Sequence, residues 1–132
     1  MPSVDVVDET FLAVPPTVVA AAFAAPSSWR TYWPDLDLDV YADRGVEGLR
    51  WTVRGALVGT MEVWLEPVLD GTVVHYFLRA DLAQSDGGSL SELTPRQAQR
   101  EVRRRQIAAK TVALQLKMTL EDGRPPGCPP AG

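Results

Sequence analysis

One cysteine and one histidine are all this chain of 132 residues contains of those types, at Cys128 and His75. A single thiol cannot close an internal disulfide, and no spaced His/Cys set for a metal ion exists. No Gly-x-Ser-x-Gly turn is present for a nucleophilic serine, and nothing in the pattern asks for a cofactor. Lysine is scarce too, with Lys110 and Lys117 set against eleven arginines. No run of 18 apolar residues exists, so no helical membrane span is expected. The N-terminus, Met1-Pro2-Ser3-Val4-Asp5, lacks the basic-then-apolar order of a secretory signal. With the lone cysteine, that points to a cytoplasmic location. The net charge of −4 disfavours a general nucleic-acid binder.

What is present reads as one α+β domain. Val4 to Val14 is rich in Val, Phe and Thr and predicts a first strand. Val4, Val6 and Leu12 share one of its faces and Val7, Phe11 and Ala13 the other, which leaves the inward face open. Pro15-Pro16 suits a helix start, and the helix runs from about Thr17 to Ala24 until Pro26 stops it. Ser27 or Ser28 can cap a short second helix through Trp29 to Trp33, which Pro34 ends. Leu36, Leu38 and Val40 alternate with Asp35, Asp37 and Asp39, a half-buried strand with an acidic outer face. Leu49, Trp51 and Val53 alternate with Arg50, Thr52 and Arg54. Gly55 and Gly59 bracket a bend, and Met61, Val63 and Leu65 alternate with Glu62, Trp64 and Glu66. Asp70-Gly71 marks a tight hairpin, followed by a strand apolar on both faces over Thr72 to Ala80. A polar loop over 83–93 leads to Thr94-Pro95-Arg96-Gln97, a capping box with proline in the first turn. The helix it opens should reach about Glu121 and span roughly 40 Å at 1.5 Å per residue. Ala98, Val102, Ala109, Val112, Ala113, Leu116 and Leu120 form its apolar stripe. Residues 1–122 make one domain, and the Pro/Gly-rich 123–132 is expected to be a disordered tail.

This order of parts resembles the START-like, helix-grip superfamily, and within it the polyketide cyclase/dehydrase-like proteins common in actinobacteria. The resemblance rests on Val14-Pro15-Pro16-Thr17, on the aromatic turn Trp29 to Pro34, and on Gly59-Thr60-Met61-Glu62-Val63-Trp64-Leu65-Glu66-Pro67 with Asp70-Gly71-Thr72. Val74-His75-Tyr76-Phe77-Leu78-Arg79 and the long last helix complete it. It implies a helix-grip fold: a curved antiparallel sheet with two short helices and a long C-terminal helix over the concave face. This chain has room for about five strands, one hairpin fewer than the family usually carries. Family members bind lipids, polyketides, quinones, hormones or steroids, and a few catalyse cyclisation or dehydration.

Three functions stay open. A carrier of a small hydrophobic molecule would use an internal cavity lined by Trp29, Trp33, Trp51, Val53, Met61, Val63, Tyr76, Leu78, Val112 and Leu116. A cyclase or dehydratase would aim His75 and Glu62, helped by Tyr76, into that cavity as an acid/base pair. An interaction module would instead have a filled interior and pair as a homodimer through its long helix or a sheet edge. The arginines at the start of the last helix oppose its macrodipole, by about 0.3–1 kcal/mol for each well-placed charge. Arg96, Arg100 and Arg104 share a face and could hold an anion, pair with the acidic strand at Asp35, Asp37 and Asp39, or simply be solvated.

Overall fold

The computed structural model describes residues 3–83 and 94–121. In chain order they form β1 (Val4–Leu12), α1 (Pro16–Ala24), α2 (Pro26–Tyr32) and β2 (Leu36–Asp43). A 3-10 turn at Gly45–Glu47 follows, then β3 (Gly48–Gly55), β4 (Leu57–Val68), β5 (Gly71–Leu82) and α3 (Pro95–Leu120). The strands make one antiparallel sheet in the order β1-β5-β4-β3-β2. The chain thus enters at one edge, crosses over through α1 and α2, and returns strand by strand from the other edge. This is the helix-grip architecture, an α+β fold of five strands with the expected two short helices and long last helix.

Register decides which residues meet. Val4, Val6 and Leu12 pair with Ala80, Leu78 and Thr72, and all six are buried, so this row of β1 faces inward. Val7 and Phe11 lie in the outer row. On β4 and β5 the inner rows are Met61, Val63, Leu65 and Val74, Tyr76, Leu78. Their period of two follows from the pleat.

Three local expectations are corrected. Pro26 stops α1 but also occupies the first turn of α2, so the second helix begins without a serine cap. Gly59 is not at a bend, because β4 already starts at Leu57 and the chain turns at Gly55-Ala56. Gly59 is needed for close approach: a Cβ there would run into the Arg79 carbonyl and Ala80 of β5. The β4–β5 turn is Leu69-Asp70, since Val68 pairs with Gly71. Leu69 sits at φ 56°, a left-handed conformation costly for a leucine, and is almost wholly exposed. The expected disorder of 123–132 lies outside the described residues, as does the loop over 84–93.

The long helix forms as its ends foretell. The Gln97 N–H donates to Thr94 Oγ1 at 3.1 Å, and the Thr94 N–H donates to Gln97 Oε1 at 3.0 Å. Ala109, Val112 and Leu116 are buried against the sheet. The helix backbone runs closest along β1, and polar groups clasp that edge. Lys117 Nζ donates to the Phe11 carbonyl at 2.6 Å, and the Ala13 N–H donates to Glu121 at 2.9 Å. Lys110 sits 2.8 Å from Asp8 and 3.4 Å from the Glu9 carbonyl. The two lysines thus meet backbone carbonyls along the outer edge of β1, with which no further strand pairs among the described residues.

Candidate functional site

Between α3 and the inner sheet face lies a narrow crevice. Its apolar walls come from Leu12, Phe23, Trp33, Val63, Val74, Ala109, Val112, Ala113 and Leu116, with Asp8, Thr10 and Tyr76 as polar members. Its free volume is about 30 Å³, space for a water molecule or two. The roomy chamber expected under the helix is therefore mostly occupied by the protein's own aromatic side chains. Trp33 stacks on Tyr76 with centroids 6.2 Å apart, meets Trp51 edge-on at 5.7 Å, and lies 6.3 Å from Phe23. Trp29 meets Trp51 at 5.6 Å and donates its indole N–H to the Phe23 carbonyl at 2.6 Å. The Trp51 indole N–H is buried with no hydrogen-bond partner among the described residues, and its ring meets those of Trp29 and Trp33 at steep angles.

On the far side of Trp33 is a second cleft of about 320 Å³, lined by Tyr32, Trp33, Pro34, Asp35, Arg104, Arg105 and Ala108. Trp33 lines both spaces. The cleft is spanned by an ion-pair latch. Arg105 is 4% exposed and holds Asp35 with two hydrogen bonds, at 3.0 and 2.7 Å, while its Nε donates to Glu101 at 2.9 Å. Arg104 reaches the same Asp35 at 3.1 Å. Burial opposes the ionisation of Asp35, but the hydrogen bonds and charges of Arg105 and Arg104 outweigh it and hold its carboxyl below the usual range. Burial likewise works against the Arg105 charge, and Asp35 with Glu101 more than restores it. Burial drives the Tyr76 hydroxyl well above its ordinary value, so it stays protonated; Arg105 and the Trp33 hydrogen bond offset this in part.

The expected pocket residues divide. Trp33, Val63, Tyr76, Val112 and Leu116 line the crevice. Trp51, Val53, Met61 and Leu78 are packed core beside it, and Trp29 is half-buried over two surface grooves. The acid/base set is not brought together. His75 and Glu62 stand on the outer face, because they fall in the opposite pleat from Tyr76. His75 lies between Glu66 at 2.9 Å and Glu9 at 3.3 Å and stacks on Trp64 at 4.3 Å. Glu62 is engaged by Arg50 at 2.9 Å and Arg44 at 3.3 Å. The anion trio also separates: Arg104 is committed to Asp35 and Glu101, while Arg96 and Arg100 are exposed with no ion pair among the described residues. Among the described residues no group of three His, Cys, Asp or Glu is placed to hold a metal.

Sequence reasoning missed Arg105. Its signal was its position, since the half-buried Val102 and the buried Ala109, Val112 and Leu116 form a row that runs through residue 105 at helical spacing. An arginine in such a row is either a misplaced charge or a paired one. It also missed Asp8 and Thr10, two polar residues in the inward row of β1.

No protein-family model matches the sequence, and no curated protein matches it either. Solved structures do match the fold. Protein Ms6760 from Mycobacterium smegmatis superposes with a TM-score of 0.64 at 12% identity, covering 92% of this chain and 94% of that one. The Aha1 dimer from Colwellia psychrerythraea gives 0.59 at 16% identity, covering 92% and 99%. TTHA0849 from Thermus thermophilus gives 0.53 at 15% identity, covering 91% and 99%. At these identities the likeness is one of fold, a sheet that grips its last helix across nearly the whole of each chain.

Proposed function

We propose that this protein binds a small apolar molecule carrying one hydrogen-bonding group, in a site that forms when Trp33 swings out from between the crevice and the cleft. The observation that carries this reading is the position of Trp33. Trp33 alone lines both an apolar crevice, which Tyr76 also lines, and a cleft of about 320 Å³. Small-ligand sites typically occupy about 300–1,000 Å³ with apolar walls and a few polar groups, and joining the two spaces reaches that class. Tyr76, held protonated, can donate to a ligand oxygen once Trp33 leaves it. A chemical step is not part of this proposal, since His75 and Glu62 lie on the other face of the sheet.

The test compares the wild type with Trp33→Ala and Ala113→Trp. An environment-sensitive naphthalene dye and a panel of phenols and medium-chain alcohols would be titrated by fluorescence and by thermal shift. Removing that indole should tighten binding at least roughly tenfold, and filling the crevice should abolish it. If neither the wild type nor Trp33→Ala takes up any member of the panel, the reading fails.

One observation favours a second reading, that of a self-associating module. The interior is nearly full, while α3 turns Ile107, Leu114 and Met118 outward at 59%, 59% and 70% exposure. These lie at i, i+7 and i+11, one outer stripe of the helix. The similar Colwellia structure is described as a dimer. Sedimentation velocity across a hundredfold concentration range would test it: a dimer that dissociates on triple replacement of these residues by serine supports it, and a monomer throughout rejects it.

A further inference from the structure

Of the arginines that open α3, only Arg104 and Arg105 belong to the latch. Arg96, Arg100 and Arg103 are exposed and form no ion pair among the described residues. At about 3.6 residues per turn they fall on the same stripe as the outward Ile107, Leu114 and Met118. The outer side of α3 is therefore one line of roughly 33 Å, cationic over its first half and apolar over its second. No carboxylate of the helix interrupts it. The only acids between residues 94 and 121 are Glu101 and Glu121, and both turn inward. Glu101 meets Arg104 and Arg105, and the buried Glu121 accepts from the Ala13 N–H. Beside the stripe runs a wide groove of about 820 Å³. Arg103 and Lys110 line it with the apolar Ala98, Val102, Ile107 and Leu114, and its described lining again holds no carboxylate. In a chain of net charge −4, this is a separate patch of the opposite sign.

The cationic half fits an anion for two reasons. Positive charge in the first turns opposes the helix macrodipole, and an anion over the arginines relieves that opposition. Guanidinium forks also match phosphate oxygens two at a time. The second half fits an apolar neighbour. We infer that this face of α3 rests on the anionic lipid of a membrane surface. Phosphate headgroups lie over Arg96, Arg100 and Arg103, and the acyl boundary takes Ile107, Leu114 and Met118. A bilayer surface supplies both chemistries along the whole line. The apolar side chains stand singly, one or two turns apart, which suits a fluid layer; a protein partner gathers its anchors into one packed centre. A second copy of α3 covers the apolar half only, because it brings no carboxylate to the arginines. The inference stands apart from the crevice, which none of these six residues lines.

The test uses the full chain and sedimentable vesicles of phosphatidylcholine, with or without about one third phosphatidylglycerol. Anionic vesicles should bind it on the order of a hundredfold more tightly than neutral ones, about fivefold for each of the three arginines. Added salt should erode that difference. Arg96→Gln/Arg100→Gln/Arg103→Gln should abolish the preference. Ile107→Gln/Leu114→Gln/Met118→Gln should weaken binding to anionic vesicles roughly tenfold or more. All six residues are exposed, so both variants should melt as the wild type does. Equal binding to the two compositions overturns the inference, as does either variant binding anionic vesicles like the wild type. Vesicles left unbound overturn it too. In that case a chain that sediments as a dimer assigns the stripe to a second copy, and one that binds an acidic amphipathic peptide assigns it to a protein partner.

Discussion

The two edges of this sheet are treated in opposite ways. At β1 a 26-residue helix lies alongside, and Lys110, Lys117 and Glu121 meet the strand's polar backbone groups one by one. At β2 no further strand pairs among the described residues, although the Leu36 N–H meets the Trp33 carbonyl at 3.1 Å. What protects that edge is its own chemistry: exposed aspartates, and an irregular register between Val40 and Ala42. Both are known means of discouraging edge-to-edge association. The contrast teaches that the gripping helix closes one side of the sheet only, and that the latch at Asp35 is what ties its first turns toward the other side.

Five changes would break or sharpen that contrast. Leu116→Asp places an unpaired charge in the buried row over β1. It should cost about 4 kcal/mol or more and unfold the domain, read by urea denaturation. Arg105→Ala leaves Asp35 and Glu101 to the more exposed Arg104 alone and should cost about 1–3 kcal/mol in the same measurement. The latch also has a pH signature. Because the folded carboxyl of Asp35 titrates below the unfolded value near 3.9, the unfolded chain takes up the proton first. Its contribution is complete above that value and is lost as pH falls through the lowered one. Asp35→Asn should therefore flatten the acid limb of melting temperature between about pH 5 and pH 2.

Lys117→Met should cost about 1 kcal/mol and raise the tendency to aggregate through β1. Asp37→Ala on the bare edge should leave stability within about 0.5 kcal/mol. Thermal melts of these two variants beside the wild type would rank them.

The architecture was legible because it is written in periods and caps. Alternation around Leu49–Val53 and Met61–Leu65 marked strands, and Thr94 with Gln97 marked the start of α3. The inward face of β1 was not, because Asp8 and Thr10 interrupt its buried row and Phe11 lies in the outer one. Crevice size was not legible either. It depends on how Trp33, Trp51 and Tyr76 stack, and stacking is a matter of three dimensions. Glu62 and His75 illustrate the same limit: both belong to strands of the sheet, but pleat parity sends them away from Tyr76.

The trio of Trp29, Trp33 and Trp51 has one more consequence. Trp51 meets each of the other two rings at a steep angle, with centroids 5.6 and 5.7 Å apart, so their strong far-ultraviolet transitions should couple as excitons and give a couplet in far-ultraviolet circular dichroism. Displacing one indole collapses that couplet. The molecule thereby carries an optical gauge, needing no label, for whether its interior is shut or ajar.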